Sequence, residues 1–119
     1  MGDTFPKIMN LSNSSVYTQQ GFGASAGVGT RPALIIVDFV EGFVDPKIFG
    51  GGNIASAISA TIDLLAFARK QGWPIAMTRI VFADNGSDAN IFTKKVPRLL
   101  ALTENAQASM IVSALTPRP

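Results

Sequence analysis

Pro32-Ala-Leu-Ile-Ile-Val-Asp38-Phe-Val-Glu-Gly-Phe-Val-Asp45-Pro46 is the stretch on which the fold turns. Ala33 to Val37 are apolar without alternation, the pattern of a strand covered on both faces of a parallel sheet. The run ends on a carboxylate, Asp38, and passes into a loop marked by Phe39, Gly42 and Phe43. Open α/β sheets bind ligands just outside the carboxyl ends of their strands. An acid at that point is a candidate for proton transfer. The ordinary alternative is a carboxylate that caps its own loop through backbone N–H groups.

Working outward, strand one is expected over Ala33 to Phe39 and a loop over Glu41 to Gly52, where Pro46 and three consecutive glycines sit. Asn53 is placed to cap a helix that runs to Gln71, and Gly72 to end it. Ile54, Ala57, Ile58, Thr61, Leu64, Leu65 and Ala68 recur at helical spacing and would pack on a sheet. Trp73-Pro74 opens strand two, Ile75 to Ile80. Together these make one β-α-β unit, whose crossover should be right-handed.

The flanks are less regular. Residues 1–32 are rich in Ser, Gly, Asn and Gln and read as an arm with at most a short helix around Ser14 to Gln20. Gly21, Gly23 and Ala26 match the spacing of a dinucleotide fingerprint, yet no strand precedes them and no helix follows, so a turn-forming segment is expected. Val81 to Thr93 reads as a long loop, and Val96 to Leu102 as a short helix with Pro97 in its first turn. Ala108 to Leu115 is apolar but too short to assign, with helix and strand equally open.

Composition narrows the classes. The 119 residues suit one small domain, and 47% hydrophobic with 15% charged residues indicates a packed chain. The net charge of +2 comes with no basic cluster longer than Lys94-Lys95 and no interleaved aromatics, which argues against a nucleic-acid partner. Without cysteine or histidine, a zinc site would need carboxylates alone, so no metal or other cofactor is expected. Met1 to Asn10 lack the basic start and apolar core of a signal peptide, and no run could span a bilayer; the cytoplasm is the expected location.

Two parallel strands, each coded for burial on both faces, do not make a stable sheet by themselves. The chain is therefore expected to be a fragment or one member of an assembly.

A resemblance bears on this. Gly21-Phe-Gly23, Gly27-Val-Gly-Thr-Arg-Pro-Ala33, the strand with Asp38, Phe43 and Asp45-Pro46, then Gly50-Gly-Gly-Asn53 and Pro74-Ile-Ala-Met-Thr78-Arg79 resemble the start of an isochorismatase-like cysteine hydrolase. Within that superfamily they are most similar to the N-carbamoylsarcosine amidase and maleamate amidohydrolase branch. The resemblance implies a three-layer α/β/α fold around a mostly parallel sheet, of which residues 33–119 would be the N-terminal part. It implies that Asp38 takes the proton of a cysteine thiol, helped by a lysine, and that the thiolate attacks a small amide or carbamoyl substrate through a thioester. The four lysines after Asp38 do not sit in the family's lysine context, and the chain has no cysteine. A complementary C-terminal polypeptide would have to carry both, and the whole would be a homo-oligomer.

Beside Asp38, the candidate substrate-binding residues are Phe43, as a wall, and Thr78 and Arg79, which end strand two on the same sheet edge. Arg79 could pair with a substrate carboxylate. Each has a plainer role open to it: Phe43 packing beneath its loop, Arg79 solvated in its own. Gly50 to Gly52 most simply make a turn, Asp45 orders the Pro46 turn, and Lys94-Lys95 is a solvated pair. The alternative function is a non-catalytic relative, an interaction or scaffold protein that keeps the fold without the nucleophile.

Overall fold

The computed structural model describes residues 11–119, so Met1 to Asn10, and the leader question with them, lie outside the described residues. The chain divides into two units, 1–30 and 31–119. In the first, α1 spans Leu11–Gln19, and Tyr17 and Phe22 meet edge to face with centroids 6.1 Å apart. The Gly21-Gly23-Ala26 stretch follows that helix and opens no other, so the fingerprint spacing has no structural counterpart.

The second unit holds β1 (Leu34–Ile36), α2 (Glu41–Val44), α3 (Ile54–Gln71), β2 (Ile75–Met77) and α4 (Ile91–Lys95), with short 3₁₀ turns after them. The strands pair in parallel, Leu34 with Ile75, Ile35 with Ala76 and Ile36 with Met77. This is the β-α-β unit read from the apolar runs, and the fold is α/β. Both strands are shorter than Ala33–Phe39 and Ile75–Ile80. Asp38 takes φ 60°, which swings the chain out of the sheet, and the ladder ends with the Thr78 N–H donating to the Ile36 carbonyl at 3.0 Å.

The expectation of burial on both faces is met on one. Side chains alternate across a strand, and Ile36, only 4% exposed, packs with Leu65 of α3 and with Leu115. Leu34, Ile75 and Met77 lie against that cluster. On the opposite face Ile35 and Val37 are 63% and 62% exposed. The sequence codes two covers, and this chain supplies one.

α3 buries Leu65 and Ala68 and ends as expected at Gly72, whose φ of 70° is the left-handed region that glycine enters without penalty. The Trp73 N–H donates to the Ala68 carbonyl at 3.0 Å, closing the helix end. Its start differs from expectation: Asn53 occupies the N-cap position, but its side chain makes no capping bond. The Ser56 hydroxyl instead donates to the Asn53 carbonyl at 2.8 Å.

Real capping occurs where a loop was expected. The Asn90 side chain accepts from the Phe92 and Thr93 N–H groups, and the Thr93 hydroxyl accepts from the Asn90 N–H at 2.9 Å, which starts α4 inside the Val81–Thr93 stretch. The helix expected over Val96–Leu102 is a 3₁₀ turn at Pro97–Ala101. Ala108 to Leu115 is neither helix nor strand: 3₁₀ turns at Gln107–Ser109 and Ser113–Leu115 flank one antiparallel bridge from Ile111 to Val40.

The loop from Glu41 to Gly52, expected as irregular, contains α2 and folds back tightly. A Cβ on Gly50 would overlap the Val44 carbonyl and the backbone of Asp45, so close approach of main chain, more than turn conformation, requires glycine there. Gly50→Ala is expected to destabilise the unit by about 1–3 kcal/mol through overpacking. A lower urea midpoint of the completed domain at unchanged slope would show it; an unmoved midpoint would mean that the loop relaxes freely. No described helix is long and apolar enough to cross a membrane.

Candidate active site

The carboxyl ends of β1 and β2 lie side by side because the strands are parallel, and the residues that leave them meet. Asp38 is two residues past β1 and Thr78 is the first past β2. The Thr78 hydroxyl donates to Asp38 Oδ1 at 2.7 Å and accepts from the Asp38 backbone N–H at 3.1 Å. The Asp38 carbonyl accepts from the Val40 N–H at 2.9 Å.

Among the described residues Asp38 is the one non-glycine residue with positive φ, at 60°. That conformation costs an L-residue roughly 1–2 kcal/mol, although Asp and Asn tolerate it best. Strain of this kind persists where surrounding contacts over-determine it, and it gathers at functional sites. Here the contacts are the two Thr78 bonds. They leave Oδ2 without a hydrogen bond among the described residues, on a side chain that is partly exposed. A carboxylate with one oxygen held and the other open can accept a proton from a group brought against it. The chain carries no thiol or imidazole of its own to do so.

The other candidates make contacts of their own. Phe43, in α2, packs its ring on Phe49 with centroids 5.4 Å apart. Arg79 follows Thr78 in sequence, but its side chain turns to the C-terminal segment. Its Nε donates to the Ser109 carbonyl at 2.8 Å, and Nη2 donates to the Glu104 carbonyl at 2.8 Å and to the Ser109 hydroxyl at 2.6 Å. Three of the five guanidinium N–H bonds are thereby used within the chain.

Ser109 was not legible as a site-supporting residue. It is fully buried, accepts from Arg79, and donates to the Thr103 and Ala106 carbonyls. A serine in an apolar run carries no local mark of its bond to Arg79, which is 30 residues away in sequence.

Asp45 accepts from the Lys47 N–H at 2.8 Å and so orders the Pro46 turn. It also lines, with Glu41 and Ala108, a cleft of about 500 Å³ beside α2 in which Asp38 takes no part. Among the described residues no group of three or more His, Cys, Asp or Glu side chains is placed to hold a metal ion.

A β-α-β unit with an acid at the end of its first strand is the frame of an α/β protein, and comparison with known proteins gives the family. Residues 32–119 match the isochorismatase domain, and the chain belongs to that family. It is similar to a maleamate amidohydrolase of Pseudomonas putida, with 27% identity over 114 residues that cover 92% of this chain and 53% of the relative. The chain thus spans about half the length of that relative.

Proposed function

We propose that residues 33–119 form the N-terminal part of a cysteine amidohydrolase that releases ammonia from a small carbamoyl or amide substrate of the N-carbamoylsarcosine or maleamate kind. A complementary C-terminal polypeptide, continuous with this chain or supplied by another, brings the lysine and the cysteine. The observation that carries this is Asp38: an acid at the carboxyl end of a parallel strand, with one oxygen held by Thr78 and the other open. Family membership and the similarity to an amidohydrolase support it.

In the completed enzyme the Asp38 carboxylate takes the thiol proton as the thiolate adds to the substrate carbonyl. The C–N bond then breaks, ammonia leaves with the proton returned by Asp38, and a thioester remains. Water, giving a proton to Asp38, attacks the thioester; the acid departs and the proton returns to sulfur. The lysine cation offsets the negative charges gathered at the site. Phe43 supplies an apolar wall. A substrate contact from Arg79 falls to Nη1, because Nε and Nη2 are held by Ser109 and Glu104. The same reading makes the completed protein a cytoplasmic homo-oligomer.

A tagged chain purified from its native cell tests this. The expected result is a cysteine- and lysine-bearing segment, found by intact mass, with ammonia release from maleamate or N-carbamoylsarcosine that iodoacetamide abolishes. A complete assembly with no cysteine would instead establish the second reading, a non-catalytic interaction protein. The absence of cysteine from these 119 residues fits either reading, because the first places the nucleophile in the complementary segment.

A further inference from the structure

We infer that Thr78 is a positioning residue for Asp38, an inference that rests on the proton-accepting role proposed for Asp38 above. The sequence alone placed Thr78 among substrate contacts, but its hydroxyl has a single proton and that proton is donated to Asp38 Oδ1 at 2.7 Å. The same oxygen accepts the Asp38 N–H at 3.1 Å, so one atom holds both the main chain and the side chain of the acid.

The hold is stiff at its base. The Thr78 N–H donates to the Ile36 carbonyl at 3.0 Å, anchoring Thr78 to the strand that carries Asp38. A β-branched side chain has few χ1 choices, which restricts where the hydroxyl can lie. Asp38 needs such a hold because its φ of 60° is unfavourable without compensating contacts. Thr78 therefore keeps Asp38 in the left-handed conformation, restrains its carboxylate, and leaves Oδ2 as the oxygen that exchanges protons.

Thr78→Val and Thr78→Ser in the completed enzyme test this, with Asp38→Asn as reference. Thr78→Val removes the hydroxyl at nearly constant volume and is expected to lower kcat by about 10- to 100-fold with KM little changed, as misplacement of a reacting group does. Thr78→Ser, which restores the hydroxyl, should recover most of that loss. In the same assembly, with the aspartates of this chain labelled with nitrogen-15, the Asp38 amide resonance should move in Thr78→Val and return in Thr78→Ser. A raised KM at constant kcat would overturn the inference and make Thr78 a substrate contact. Unchanged kinetics or an unmoved Asp38 amide would also overturn it, while leaving the role of Asp38 standing. If Asp38→Asn itself keeps full activity, the functional reading fails and the inference fails with it.

Discussion

Asp38→Asn in the completed enzyme is expected to reduce kcat for ammonia release by about 10²- to 10⁴-fold, the usual contribution of a positioned general base. The substitution is nearly isosteric. Asparagine tolerates the left-handed region as aspartate does, and its Oδ1 can still accept from Thr78. Stability should therefore change by no more than about 1 kcal/mol, the worth of weakening one hydrogen bond from charged to neutral. What is lost is the ability to hold a proton reversibly. Steady-state rates beside thermal unfolding of the same preparations give the answer. Near-full activity would reduce Asp38 to a loop cap, and equal loss of fold and activity would make it structural.

Ile35→Lys separates the isolated chain from the completed one. In this chain alone Ile35 is 63% exposed beside Val37 at 62%, on the sheet face that α3 does not cover. Where that face meets solvent, a lysine costs no more than about 0.5 kcal/mol. In the completed domain we expect the C-terminal segment to cover that face, as the uninterrupted apolar run requires. A lysine would then be buried without a partner, at on the order of 3–5 kcal/mol. Titrating the C-terminal polypeptide onto wild-type and Ile35→Lys chains measures the difference directly. Equal affinities would show that the face stays open in the assembly.

Much of the fold was legible because it depends on local patterns. Ala33 to Val37 and Ile75 to Met77 read as strands from continuous apolar runs, and α3 from its helical spacing and Gly72. The parallel pairing follows, since an 18-residue helix between two strands leaves room for a crossover. Asp38 stood out by position alone. Beyond Val81 the elements are short, three to five residues each, too short for a periodic pattern to show. The start of α4 was in principle readable from Asn90 and Thr93, whose mutual capping fits a three-residue spacing. The antiparallel bridge from Ile111 to Val40 carries no such mark.

The sequence by itself determined the β-α-β unit, the acid at its strand end, and the absence of cysteine and histidine from these 119 residues. Those are properties of periodicity and residue type, which act over a few neighbours. Only the tertiary structure decided which partners the polar side chains take. It brought Thr78 to Asp38 across 40 residues and turned Arg79 to Ser109 across 30. It also left Ile35 and Val37 bare. Hydrogen bonds and burial depend on where distant segments come to rest, and that is set by the packing of the whole chain.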